Sequence, residues 1–155
     1  MAKVRIDTLD VSSPILVEAC VTLLFNAFAK PALYSAQRLS EELRADSALF
    51  YRQFFVAIMA GEIIGVGGVK AADWASHTHL LYLSAVVSKH RGKGIGRALL
   101  KARIDWVAEN FKSGRILVST PKASRYRELG FIRVPRSGIE GRDLMMLRFQ
   151  RPEKA

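Results

Sequence analysis

Lys89-His90-Arg91-Gly92-Lys93-Gly94-Ile95-Gly96-Arg97-Ala98 joins two segments of opposite character. Before it runs Leu80 to Val87, an apolar stretch of strand length; after it, Ile95 to Phe111 reads as a strong helix. Glycines at such a junction let several backbone N–H groups turn toward one point and approach a ligand closely. The first N–H groups of the helix, which have no partner within it, add partial positive charge there. A pyrophosphate suits that point, and Arg91, Lys93 and Arg97 add cations around it, arginine being able to grip phosphate through two donors. Two better-known glycine loops fail on spacing. A nucleotide-hydrolysing P-loop needs Gly, four residues, Gly-Lys and then Ser or Thr, which is absent. The dinucleotide fingerprint Gly-x-Gly-x-x-Gly is also absent, because the glycines stand at the alternate positions 92, 94 and 96.

Working upstream, Phe54 to Met59 and Ile63 to Val69 are β-rich runs linked by Ala60-Gly61-Glu62, the pattern of an antiparallel hairpin. Val4 to Leu9 alternates weakly as a first strand. Ser12-Ser13-Pro14 then supplies an N-cap and a first-turn proline for a helix to about Ala29. Pro31 stops that helix, and Ser35 to Leu43, with Leu39 and Leu43 four apart, predicts a second one lying near the first. Downstream, Ser113-Gly114 is expected to close the long helix, with a short buried strand at Ile116 to Ser119. Thr120-Pro121 predicts the start of a helix ending at Gly130. Phe131 to Val134 and Leu144 to Phe149 are closing strands joined through Gly138 and Gly141. Strands and helices are mixed throughout, so the reading is one α/β (α+β) sheet domain over 1–151 with a short tail at 152–155.

The 155-residue length suits a single core that buries about two-thirds of the surface of the unfolded chain. Half the residues are hydrophobic and a quarter charged, which excludes a disordered or fibrous chain. Pro14 to Ala29, the longest apolar stretch, is broken by Glu18 and Asn26 and falls short of the roughly 20 residues of a spanning helix. No membrane role is expected, no secretion signal is visible, and Cys20 is the one cysteine, so the expected location is the cytoplasm. A net charge of +10 raises a nucleic-acid reading. The basic residues are nevertheless dispersed, with no zinc-ligand or RNA-binding aromatic motif beside them.

Arg91-Gly92-Lys93-Gly94-Ile95-Gly96 resembles the coenzyme A pyrophosphate loop of the GNAT superfamily of N-acetyltransferases. The order of hairpin, strand, loop, long helix, short strand, short helix and two last strands is similar too, over about Phe54 to Phe149. The resemblance implies a central mixed, mostly antiparallel twisted sheet flanked by helices. It also implies that backbone amides of Arg91, Gly92, Lys93, Gly94, Ile95, Gly96 and Arg97 hold the pyrophosphate of acetyl-CoA. Ala85, Val86 and Val87 at the end of the preceding strand would then pair with the pantetheine arm. Tyr126-Arg127-Glu128-Leu129-Gly130-Phe131 resembles the family's second signature, which makes Tyr126 the expected acid for the leaving thiolate. Ser119 stands where relatives often have an asparagine, and a hydrogen bond from it to the pantetheine is the corresponding expectation.

The base is harder to read. Many relatives carry a carboxylate on the strand before the loop, and His79-Leu80-Leu81-Tyr82-Leu83-Ser84-Ala85-Val86 has none. Period two places Ser84, Tyr82 and Leu80 on the face of Val86, and His77 and His79 on the other. His77 and His79, Asp73, Glu140 and water relays are the candidates; His77 and His79 lack a third ligand for a metal, and the chemistry needs none.

The expected reaction is direct attack of a neutral amine on the thioester, with backbone N–H groups near Val86 and Val87 facing the developing oxyanion. Trp74, Phe28, Tyr34 and Tyr51 are candidates to line an acceptor pocket shaped by Ala29 to Phe50 and Lys70 to Thr78. The acceptor is a small-molecule or protein amine, and the basic balance argues against a polycation. Exposed edges of the last strands allow a homodimer. Two readings compete: a non-catalytic acyl-CoA-binding or regulatory domain, and a basic nucleic-acid-binding module.

Overall fold

The computed structural model describes residues 3–44 and 50–152; residues 45–49 of the expected acceptor segment and 153–155 of the expected tail lie outside the described residues. The elements are β1 (Val4–Thr8), α1 (Pro14–Phe28), α2 (Ala36–Leu43), β2 (Arg52–Met59), β3 (Glu62–Ala71), β4 (Thr78–Val86), a 3-10 turn at Ser88–His90, α3 (Ile95–Asn110), β5 (Ser113–Thr120), α4 (Ala123–Arg127), β6 (Ile132–Arg133) and β7 (Asp143–Gln150). The first two helices start where their serines dictate. Ser13 Oγ accepts the Leu16 N–H at 3.3 Å, with Pro14 in the first turn, and Ser35 Oγ accepts the Arg38 N–H at 3.1 Å.

The strands form one seven-stranded sheet in the order β1-β2-β3-β4-β5-β7-β6. Every neighbouring pair is antiparallel except β4 and β5, which run parallel. The sheet therefore has the mixed, mostly antiparallel character expected. Its two faces carry separate cores. On one, Ile95, Leu99, Leu100 and Val107 of α3 pack on Ile64, Val69, Leu81, Ile116 and Met145. On the other, Val17, Cys20 and Leu24 of α1 and Leu39 and Leu43 of α2 pack on Phe54, Val56 and Val66. Burial pushes the Cys20 thiol pKa up to about 12, which agrees with a packing role.

Three local expectations are corrected. Ser113-Gly114 opens β5 instead of closing α3, because both residues pair with the end of β7, Ser113 opposite Gln150 and Gly114 opposite Phe149. Thr120 ends β5 instead of capping α4; its Oγ1 accepts the Lys122 N–H at 3.0 Å, and the helix starts only at Ala123. The third correction shapes the site. Leu83 has a left-handed φ of 47°, and the register with β3 slips there: Gly68 faces Tyr82 but Val66 faces Ala85. Two residues of β4, Leu83 and Ser84, oppose Gly67 alone, which is a β-bulge. Tyr82 and Leu83 consequently both pack toward α1 and α2, while Ser84 and Val86 turn to the α3 face that His79 also uses. The expected grouping of Tyr82 with Ser84 does not hold.

Candidate active site

β4 and β5 pair over only three residues each, Thr78 to Leu80 with Arg115 to Leu117. Beyond Leu80 they part, β4 staying with β3 to Val86 and β5 with β7 to Thr120. Their C-terminal halves therefore face each other across a cleft, each with an edge that has no neighbouring strand among the described residues. A sheet that opens in this way leaves backbone donors and acceptors for a ligand to use.

The register decides which groups those are. Val87 donates to Ile64 O at 2.9 Å, and its own carbonyl accepts the His90 N–H at 3.0 Å. Antiparallel ladders alternate, so Ala85 likewise turns its backbone to β3, and Val86 turns its N–H and carbonyl to the cleft. Arg91 Nε donates to that carbonyl at 2.9 Å. Of the two expected oxyanion donors, the Val87 N–H is already committed to the sheet and the Val86 N–H is on the open edge.

At the mouth of the cleft lies the glycine loop. Gly92 and Gly94 have φ of 78° and 82°, conformations that an L side chain rarely adopts, and among the described residues nothing lies within 4 Å of where a Cβ would stand at either. Gly94 is the N-cap of α3 and gives no side-chain hydrogen bond, so the first N–H groups of a 16-residue helix are left to the loop. Ile95 is buried and anchors the helix, and Gly96 lies 3.9 Å from Arg125 Nη1 at its Cβ position. Arg97 is not free as expected: its Nη2 contacts Glu128 at 2.9 Å, an exposed pair of little stabilising worth.

Tyr126 sits half-buried on α4, its ring edge-on to Phe131 at 5.4 Å between centroids. The signature spacing has a mechanical reason. Gly130, at φ 94°, reverses the chain after the helix, so that the Phe131 N–H returns to Tyr126 O at 3.1 Å and Phe131 enters the α3-side core. Ser119 is exposed on the β5 side of the cleft, and Arg142 donates to both of its oxygens, Nε to Oγ at 3.1 Å and Nη2 to O at 2.6 Å.

Other expected residues do not converge here. His77, His79 and Asp73 stand at or before the start of β4. At roughly 3.3 Å per residue they are on the order of 20 Å from Val86. His79 is only 3% exposed and bonded to the Tyr51 hydroxyl, so it serves packing and not proton transfer. Glu140 alone of the four named groups lies on the cleft's end of the sheet, in the loop that brings Arg142 to Ser119. The four aromatics divide: Phe28 and Tyr34 meet beside α1 with ring centroids 4.7 Å apart and planes tilted by 45°, while Tyr51 and Trp74 line a recess of about 690 Å³ with Phe50, His77, His79 and Phe111 at the far end of the sheet.

The acetyltransferase (GNAT) domain family matches residues 50–133, which hold the hairpin, the opening strand, the loop, α3, β5, α4 and β6. The chain belongs to the GNAT acetyltransferase family. None of the curated proteins matches it significantly. Among solved structures, an acyl-CoA N-acyltransferase from Pseudomonas aeruginosa is 13% identical, with a TM-score of 0.75 over 93% of this chain and 99% of that one. An aminoglycoside 6'-N-acetyltransferase complexed with coenzyme A is 18% identical, with a TM-score of 0.73 over 96% and 99%. The PaiA N-acetyltransferase from Thermoplasma acidophilum, in complex with coenzyme A, is 17% identical, with a TM-score of 0.70 over 95% and 99%. Each of these likenesses covers more than nine-tenths of the chain, so the shared fold extends into the part before Phe54, where the sequence resemblance is only general.

Within this GNAT site, sequence reasoning misses Arg103, Arg125 and Arg142. Each acts on something distant in the chain. Arg142 reaches Ser119 and Arg125 reaches the start of α3, and no local pattern announces either. Among the described residues no helix is long and apolar enough to cross a membrane.

Proposed function

We propose that this GNAT enzyme transfers the acetyl group of acetyl-CoA to a primary amine of a small molecule or protein by direct attack, in the cytoplasm, as a single domain over 1–151. One observation carries the reading: an open, cation-rich glycine loop, backed by the uncapped N-terminus of α3, opens onto a strand edge with no neighbouring strand among the described residues, and α4, the helix of Tyr126, lies against the start of α3. In this reading the amides from Arg91 to Arg97 hold the pyrophosphate, and Arg91 leaves the Val86 carbonyl to join them. The pantetheine arm takes the edge groups of Val86, with Ala85 and Val87 holding that edge in the sheet and Ser119 lining the opposite wall.

The neutral amine attacks the thioester carbon, a C–N bond forms, and the carbonyl electrons move to oxygen, facing the Val86 N–H. As the intermediate collapses, the C–S bond breaks and the thiolate takes a proton from the Tyr126 hydroxyl. The proton lost by the attacking nitrogen passes to water, with Glu140 the nearest of the expected carboxylates in topology. The absence of a carboxylate on β4 favours one second reading, an acyl-CoA-binding domain without turnover.

Calorimetric titration with acetyl-CoA and coenzyme A tests the assignment, beside Gly94→Asp, which puts a negative charge at the helix N-terminus in a strained conformation. Wild-type binding weakened by about 100-fold or more in the variant is expected. A wild-type protein that ignores both nucleotides at low and moderate salt defeats the reading, and binding without turnover of any amine selects the second one.

A further inference from the structure

Arg103 is the largest fully buried side chain of the described residues, 2% exposed on the inward face of α3 between Leu99 and Val107. Its Nε donates to Leu99 O at 3.1 Å, Nη1 to Gly68 O at 3.1 Å and Nη2 to Ser84 Oγ at 3.2 Å. All three acceptors are neutral, and among the described residues no carboxylate lies within ion-pair distance of it. Burial pushes its pKa down to about 10, with Tyr126 acting the other way, so the guanidinium is charged at neutral pH. An uncompensated buried charge is costly, and the chain makes room for this one. A Cβ on Gly67 would lie 2.9 Å from Arg103 Cζ and Nε, and the bulge at Leu83 turns Ser84 to the guanidinium.

The charge bears on one exposed atom of the cleft. Ser84 is the exposed residue of β4, at the edge where β4 has left β5. Because its oxygen accepts from Arg103 on the inner side, its own hydrogen is free to donate outward, backed by a positive charge that solvent screens poorly. An ammonium at that point meets like charge. A carboxylate oxygen gains both the hydrogen bond and the attraction.

We propose that the acyl acceptor is an amine that carries a carboxylate, received by the Ser84 hydroxyl over the Arg103 guanidinium, with Arg103 the positioning residue behind this selectivity. That the carboxylate's owner is the acceptor rests on the acetyl transfer proposed above; the carboxylate site itself does not.

The test separates the two. The full chain, without coenzyme A, is titrated with N-acetylalanine and with N-acetylalaninamide, which differ only in the charged group. The carboxylate is expected to bind about 10-fold tighter or more, as a charge-assisted hydrogen bond implies. Arg103→Met and Ser84→Ala are expected to bring the ratio below about 3-fold, whereas a purely structural role would weaken both ligands alike. Should Arg103→Met fail to fold, the exposed Ser84→Ala carries the test. The same ratio is then read in kcat/KM with acetyl-CoA for alanine against alaninamide. Equal binding in the wild type, or a preference that survives both substitutions, overturns the inference, and turnover of uncharged or polycationic amines alongside it leaves the transferase standing. A carboxylate preference in a protein that ignores acetyl-CoA overturns the transferase and leaves this site.

Discussion

The two ends of β4 belong to one strand and serve opposite purposes. At Thr78 to Leu80 the strand is paired on both sides, and His79 is sealed among Tyr51, Phe111 and Phe149. At Ser84 to Val86 it is paired only to β3, and the polar group beneath it is a charged guanidinium that reaches an exposed hydroxyl. Burial with complete pairing yields stability, and the same backbone relieved of one neighbour yields donors, acceptors and a field for chemistry. The bulge at Leu83 marks the change from one regime to the other.

Substituting one phenol at each end would break this comparison most sharply. Tyr126→Phe, at the open end, is expected to lower kcat by about 10²–10⁴-fold, the range for loss of a positioned acid, while calorimetry finds acetyl-CoA affinity unchanged. Tyr51→Phe, at the closed end, removes the partner of His79 Nδ1 and is expected to lower stability while leaving kcat as it was. If Tyr126→Phe turned over as fast as wild type, the open end would hold no acid on α4.

A smaller effect is expected at the border between the regimes. Gly67→Ala forces a methyl against the Arg103 guanidinium, within 2.9 Å of Cζ, and the guanidinium is held on three sides. A destabilisation of about 1–3 kcal/mol is expected from urea unfolding, as for other overpacked cores. A neutral result would mean that Arg103 moves easily and that the positive floor of the cleft is not fixed.

What was legible in the chain follows the same divide. The loop from Arg91 to Gly96 and the Tyr126-Gly130-Phe131 turn are contiguous, and Gly92, Gly94 and Gly130 hold left-handed backbone that favours glycine, so spacing alone exposes them. The bulge is different. A left-handed leucine leaves no compositional mark, and strict alternation therefore put Tyr82 and Ser84 on one face. Arg103 lies four residues from Leu99 on a buried helix stripe, but an arginine there reads as surface until β3 and β4 are seen to meet it with a carbonyl and a hydroxyl. The insertion of β7 between β5 and β6 is a fact of pairing over long separations, and it also explains why Ser113-Gly114 and Thr120 belong to a strand.

The smallest effect concerns the closed end alone. His79 Nε2 has no hydrogen-bond partner among the described residues, and its ring lies 4.5 Å from that of Phe111. Burial, and secondarily the charge of His77, lowers its pKa from the ordinary 6.5, so the folded protein resists a proton that the unfolded chain accepts. The unfolded state then binds more protons as pH falls through 6.5, which makes stability complete above that value and progressively lost below it, by no more than about 1.4 kcal/mol per pH unit. Urea midpoints measured from about pH 7.5 to 5.5 are expected to show the decline in wild type and in Ser84→Ala, and to lack it in His79→Gln. Since His79 is far from the cleft, kcat at saturating substrate is not expected to follow the same curve. A slope that persists in His79→Gln would mean that the proton responsible binds elsewhere than at the closed end of the strand.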